Sequence, residues 1–503
     1  MSATGPAHII SYDGHTLMST FAASALARLS QKSGPPVTPE KTAKSAELET
    51  DIAAVVKPPP PNCVASDDQK VAVSYPPIKV AETIAREKTT ETTSGGKISN
   101  EIGIGVSTNT DGSVPPPTAV MLFESPSTSS SVTSFQNTTN YLLHDYPTSP
   151  PQYWSVMRPV RYSAMAGDAL PVWVAQTPVT PLLEHWSRSI PIFKKPNYLT
   201  SDLVAHVEAN PGTKVLAYLP LEQLPSANHA VPPKVHYHLA GKAAIPSISP
   251  RSPALYPSTS AAFRPCVVKV THAMGSLGIF VIKTDEDERK MAEFLEATGR
   301  PDYISSEFVD IQRNLACHFF VDPSGEVTWF GYSENMKLEF APHWSSDSTF
   351  CIDKQDEMRE LLAPYALDTA NYMLSLGYWG FAGIDVLFDR SGKGYIVDVN
   401  PRVTGSMPAL VATPGIHEKY GFTVGKFRKS TKWSYPGTKE ELLAKADLWN
   451  AENQKKGHVV LFSVHEKKEK CTQLNIAVWA FSEKDAQEIF DVFCQDGGEG
   501  GRA

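Results

Sequence analysis

Gly383-Ile-Asp-Val-Leu-Phe-Asp-Arg-Ser-Gly-Lys-Gly-Tyr-Ile-Val-Asp-Val-Asn-Pro-Arg-Val-Thr-Gly-Ser406 is the stretch on which the fold reading turns. Residues 384–388 and 395–399 are apolar, β-branched or aromatic, and the polar run 389–394 between them has turn chemistry, which predicts a β-hairpin. Asp385 interrupts the first apolar run. Asp398 and Asn400 stand two apart in the second, so a strand's period of two puts both on one face. A hairpin register can bring Asp385 beside them. Two carboxylates and an amide oxygen are hard ligands suited to Mg²⁺ shared with phosphates, and the Arg402 guanidinium can hold phosphoryl or carboxylate oxygens in bidentate fashion. The plain alternative is a hairpin with a solvated polar edge.

Upstream, the run 264–270 reads as a strand carrying Lys269, followed by Thr271-His-Ala-Met-Gly275-Ser276-Leu-Gly278 and a second strand over 279–282. Glycine lets backbone N–H groups approach an anion where a Cβ would intrude, and a lysine on the preceding strand supplies a point charge for phosphate. A helix is predicted from Thr284-Asp-Glu-Asp287, a capping-box opening, up to Gly299. Tyr303–Asp310 then leads into strands over 315–321 and 327–332. A long helix with Pro364 inside it is predicted over 353–376, closed by Gly377.

The chain of 503 residues carries a net charge of −8, which provides no basic footprint for nucleic acid or an anionic membrane. No apolar run is long enough for a membrane span, and the N-terminus lacks a secretory-type core. The six cysteines have no CxxC pair, which argues against zinc and for a reducing, cytoplasmic compartment. Residues 1–135 are largely Ala, Ser, Thr and Pro and are expected to be mostly disordered, apart from a short helix or strand–helix unit over 8–29. Residues 136–235 alternate strands and helices, as in a small α/β domain with a parallel sheet. A compact α/β subdomain is expected over 431–503. His236 and His238 are read as a pair on one strand face, more in keeping with structure than with metal binding. Cys266 reads as a small buried hydrophobe.

The hairpin resembles the metal-binding end of the ATP-grasp superfamily, whose pattern is an acidic residue on one strand and acidic-x-Asn-x-Arg on the next. This chain has Asp at both acidic positions, where Glu is more usual. The resemblance implies an α/β chain with an α+β ATP-grasp module over 236–430. It implies ATP with Mg²⁺, or Mn²⁺ in its place, as cofactors, the metal resting on Asp385, Asp398 and Asn400. Lys242, Lys269 and the loop residues Gly275, Ser276 and Gly278 would hold the phosphates. Glu307 with the backbone of Phe308 and Val309 would receive the adenine edge, and Asp310 the ribose. Arg402 and Lys269 would act in catalysis. The implied activity is ADP-forming ligation of a small-molecule carboxylate to an amine, an amino acid or small peptide, as in peptide ligases of this superfamily. The alternatives are an ATP-binding scaffold and a phosphotransferase. A homodimer is the default assembly.

Overall fold

The computed structural model describes residues 6–32, 119–127, 133–144, 153–273, 278–299, 301–335, 347–428, 433–468 and 470–496. All of them belong to the compact unit formed by Met1–Lys32 and Pro116–Ala503. The strand–helix unit expected near the N-terminus is present. Strand β1 (His8–Ser11) lies parallel to a central strand of the main sheet, and the helix Met18–Lys32 follows it.

Strands β2 (Ala119–Leu122), β3 (Val172–Trp173), β4 (Tyr198–Leu199) and β5 (Lys214–Ala217) make a parallel sheet in the order β4-β3-β2-β5. The boundary expected at 136 is corrected: the central strand β2 lies before it, with every residue buried. Four apolar residues between Pro/Thr-rich and Ser-rich flanks leave little periodicity to detect. Helices Thr180–Ser189 and Leu203–Ala209 lie between these strands along the chain.

Strands β6 (Leu255–Tyr256), β7 (Cys266–Val270), β8 (Ile279–Ile282) and β9 (Tyr303–Glu307) form an antiparallel sheet ordered β6-β9-β7-β8. In β7 the buried Cys266, Val268 and Val270 pack on Met291 and Leu295 of the helix Asp285–Ala297. Val267 and Lys269 point the other way, as alternation requires. Thr284 and Asp287 form the reciprocal capping box that opens that helix.

The main sheet takes β10 (Ile311–Val321), β11 (Glu326–Asn335), β12 (Asp347–Cys351), β13 (Gly380–Asp389), β14 (Gly394–Asn400), β15 (Val424–Arg428), β16 (Trp433–Tyr435), β17 (Gly457–Lys468), β18 (Cys471–Ala480) and β19 (Gln495–Asp496). The path runs β14-β13-β10-β11-β12-β15-β18-β16-β19, with β1 on β11 and β17 on β18. The helix Gln355–Ser375 covers one face, burying Met358, Leu362 and Met373 against Cys317, Ile384 and Ile396. Residues 431–503, expected as a compact α/β subdomain, add strands to the main sheet. Strand β18 pairs along all of β15, from Val424↔Ala480 to Arg428↔Ile476, so the C-terminal strands extend the main sheet. Periodicity reports which face of a strand is apolar, not which distant strand it joins.

His236 and His238 lie on the helix Pro233–Ala240 rather than on a strand. Pro232 and Pro233 open that helix, and a proline at the first helical turn loses no needed N–H. His236 is buried and donates through Nε2 to the Pro401 carbonyl at 2.8 Å, so it is a structural residue.

Candidate active site

In the hairpin, the Asp389 carboxylate accepts from the backbone N–H groups of Ser391 and Lys393 at 2.9 and 3.0 Å, which fixes the turn. The register then sets Asp385 opposite Asp398 and Gly383 opposite Asn400, so the three oxygen-bearing side chains share one face. Leu387 faces Tyr395 in the same register, which makes Val397 the extra residue of a β-bulge. The bulge has a consequence that strict alternation hides. It puts Tyr395 on the same face as Asp398, and Leu387, Tyr395 and Val397 pack with Val309 into a small apolar pad beside the carboxylates.

Behind the hairpin, space is tight. A Cβ on Gly383 would lie 2.5 Å from Thr404 Cγ2, and His318 locks that loop through Thr404 Oγ1 at 2.6 Å and Ser406 Oγ at 3.1 Å. Arg402 donates through Nη2 to Asn400 Oδ1 at 2.5 Å and through Nη1 to the Val403 carbonyl at 3.3 Å. Its Cζ stands 4.8 Å from the Tyr218 ring.

Two lysines approach from other elements. Lys242, in the turn after the helix Pro233–Ala240, places Nζ 2.5 Å from Asp398 Oδ1. Lys269 Nζ donates to the Val397 carbonyl at 2.8 Å. Burial pulls the Lys269 ammonium down to about 8, against the nearby Asp398, with Lys242 adding repulsion and Asp385 attraction. Gly278 closes the loop between β7 and β8 with φ +68°, and its carbonyl accepts from Val270 N–H at 2.9 Å. Gly275 and Ser276 lie outside the described residues.

At the other end, Glu307 finishes β9 and Phe308-Val309-Asp310 cross to β10. A cleft of about 230 Å³ opens there, lined by Glu307, Phe308, Val309, Asp310, Arg390 and Tyr395. Asp310 is turned to the hairpin, receiving Arg390 Nε at 2.8 Å. The structure thus gathers Lys242, Lys269, Asp385, Asp398, Asn400 and Arg402 at one end of the β7–β14 face, and the segment 307–310 at the other. Sequence reasoning did not single out Tyr218 or Arg158, whose Cζ lies 4.1 Å from the same ring that Arg402 meets. The available signal was two arginines inside the otherwise buried run 157–166.

Burial also sets an acid limit. Desolvation drives His236 down to about 3 and His272 and His458 to about 4, each holding a backbone carbonyl. An unfolded histidine takes its proton near pH 6.5, whereas these refuse it until pH 3–4. Stability is therefore full above pH 6.5 and falls as pH drops toward 4, each histidine costing about 2 kcal/mol by pH 5. Urea midpoints at pH 7.5 and 5 measure this, and a shallower slope is expected in His236→Gln. Equal midpoints would contradict it.

Residues 256–400, from β6 to the end of β14, match the family described as L-aspartate–L-methionine ligase, ATP grasp. A biotin carboxylase of Nostoc sp. (strain PCC 7120) is 24% identical over 164 residues, 30% of this chain and 34% of that protein, so this chain matches about a third of its relative's length. Among solved structures, N5-carboxyaminoimidazole synthetase from Staphylococcus aureus complexed with ADP is 11% identical, with TM-score 0.44 over 74% of this chain and 95% of that one. L-amino acid ligase from Bacillus licheniformis is 13% identical, with TM-score 0.42 over 75% and 97%. The family match spans β7 with Lys269, the crossing segment 307–310 and the hairpin ending in Asp398 and Asn400. Over residues 256–400 this chain is similar to the ATP-grasp ligases.

Proposed function

We propose that this chain is an ATP-dependent, ADP-forming ligase that joins a carboxylate to an amine, with an amino acid on at least one side. The observation that carries this reading is the convergence of Lys242 and Lys269 on the Asp385–Asp398 pair, with Asn400 and Arg402 alongside. Those groups suit one difficulty of the reaction: a carboxylate and a triphosphate repel each other and must meet in line.

In this reading a carboxylate oxygen attacks the γ-phosphorus and ADP leaves. The amine nitrogen then attacks the acyl carbon of the acyl phosphate, inorganic phosphate departs, and the nitrogen loses a proton. Lys269 and Lys242 bind phosphate oxygens by charge. Arg402, held by Asn400, stabilises the oxygen that gains charge during transfer. The pad of Leu387, Tyr395 and Val397 with Val309 gives the adenine an apolar seat, and Glu307 with the 308–309 backbone provides its polar edge.

The donor set fits Mg²⁺: two carboxylates from facing strands and an amide oxygen, all hard ligands on one face. Asp385, Asp398 and Asn400 would hold the ion, which supplies charge neutralisation at the phosphates. The ion pair to Lys242 gives Asp398 a counter-charge that the metal would share or replace.

The test is ADP release by purified protein with Mg·ATP against pooled amino acids and small carboxylic acids, with mass spectrometry of the products. L-aspartate and L-methionine are the first pair to assay, since the matched family is named for them. Pool-dependent release with a conjugate lighter than its parts by one water is the expected result. Tight ATP binding with no release from any pool would turn the reading toward a nucleotide-binding scaffold.

A further inference from the structure

A lysine stem is long and flexible, so where its ammonium rests is set first by the backbone it leaves from. Lys242 leaves from the tight turn Lys242–Ala244, directly after the helix Pro233–Ala240. At the end of that helix the Gly241 N–H donates to the His238 carbonyl at 3.0 Å, three residues back, so the Tyr237 carbonyl does not receive it. Another element serves that carbonyl instead. His272 Nε2, just past the end of β7, lies 3.1 Å from the Tyr237 oxygen. A carbonyl only accepts, so the imidazole carries its hydrogen on Nε2 and caps the helix. The same ring lies flat on the Tyr237 ring, with centroids 3.8 Å apart and planes 4° from parallel.

Gly241 shows how close this approach is. Its φ of −85° is open to any residue, so backbone freedom does not explain the glycine. A Cβ there would lie 2.8 Å from His272 Nε2 and 3.0 Å from Cε1, so it is the imidazole that requires glycine. One residue on, the Lys242 N–H donates to the Thr271 carbonyl at 2.9 Å. Thr271 in turn donates to the Asp302 carbonyl, at 2.8 Å from its N–H and 3.0 Å from its hydroxyl. Residues 271–272 therefore grip the chain at 237, 241 and 242, immediately before the lysine stem.

A third segment holds the same two rings. Tyr141 stands edge-on to Tyr237 with centroids 5.6 Å apart, and the Tyr237 hydroxyl donates to the Leu142 carbonyl at 2.8 Å. The His144 N–H donates to the His272 carbonyl at 2.7 Å. Tyr141 holds φ at +54°, a left-handed conformation that a tyrosine rarely adopts. Desolvation, with Lys242 among the charges that add to it, keeps the imidazole neutral by drawing it down to about 4. A neutral donor caps the helix without repelling the ammonium next along the chain.

We propose that His272 is a positioning residue for Lys242: by capping the helix Pro233–Ala240 and stacking on Tyr237, it fixes the backbone from which the lysine reaches Asp398 and the nucleotide phosphates. The inference rests on the phosphate-binding role given to Lys242 above. It deepens that reading by assigning a residue that acts on the site through the lysine, and nucleotide binding tests it without turnover.

The experiment is a double-mutant cycle on Mg·ATP affinity, read by titration of the full chain. His272→Ala should raise the Kd for Mg·ATP about 3–10-fold, the value of one hydrogen bond transmitted through Lys242. His272→Gln keeps an N–H donor at similar reach and should restore the Kd to within about twofold of wild type, whereas His272→Phe keeps only the stacked ring and should not. In the Lys242→Met background, His272→Ala should change the Kd by less than about twofold, since no ammonium remains to be placed. Gly241→Ala, which drives a methyl group into the imidazole, should behave as His272→Ala does. Losses that multiply in the double variant would overturn the proposal, because a histidine that only supports the fold weakens binding with or without Lys242. Wild-type affinity in His272→Ala, or in Lys242→Met, would overturn it too. Coupled losses with no ADP release from any amino-acid pool would leave the positioning role standing and count against the ligase reading alone.

Discussion

Asp398→Asn is expected to lower amino-acid-dependent ADP release by at least about 10²-fold, because in the proposed ligase the carboxylate would serve both the phosphates' cation and Lys242. The change has a second effect that comes from the ion pair at 2.5 Å. Lys242 is 7% exposed, so removing its partner leaves an ammonium largely cut off from water. Losing one partner of a fully buried pair costs about 3–5 kcal/mol. Asp398 keeps 26% of its side chain exposed, which screens the pair and brings the expected loss to roughly 1–2 kcal/mol. The two effects separate in the double variant Asp398→Asn/Lys242→Met. Thermal stability should return toward wild type while ADP release stays lost. Turnover near the wild-type rate in Asp398→Asn would remove this residue from the metal assignment.

Lys269→Met should weaken Mg·ATP binding by about 10–100-fold, the value of one charged hydrogen bond to phosphate. The reasoning is positional. Lys269 leaves β7 on the face opposite the buried Cys266, Val268 and Val270, and its ammonium reaches across to the Val397 carbonyl beside Asp398. Methionine keeps the length and the apolar stem, so β7 should hold its packing on Met291 and Leu295. Titration of the variant with ADP and with ATP distinguishes the phosphates involved: a larger loss for ATP puts the lysine at the γ-phosphate. Affinities within twofold of wild type for both nucleotides would exclude Lys269 from the phosphate site.

These two residues show different routes from sequence to site. Asp398, Asn400 and Asp385 were legible because a hairpin is a local object. Apolar alternation, a polar turn and a period of two place three side chains on one face within sixteen residues, and the observed register does so. The capping box at Thr284 and the helix Gln355–Ser375 were legible for the same reason. The bulge at Val397 was not, since nothing in Tyr395–Val399 marks an extra residue; only pairing with β13 reveals it.

Tertiary structure decided the rest. Lys242 meets Asp398 across 156 residues of chain, and no local pattern encodes that approach. Strand β2 has too few residues for a periodicity to emerge from its Pro- and Ser-rich surroundings, so only its parallel partners β3 and β5 identify it. The C-terminal strands read as a unit of their own because they follow one another along the chain, whereas their attachment to β15 depends on backbone groups common to every residue. Arg161 and Asn475, separated by 314 residues, come together only because the helix Arg158–Ser163 packs on β17. By itself the sequence determined the secondary elements and the carboxylate face of the hairpin, which arise from interactions between near neighbours. Which elements meet depended on burial of apolar faces against distant parts of the chain.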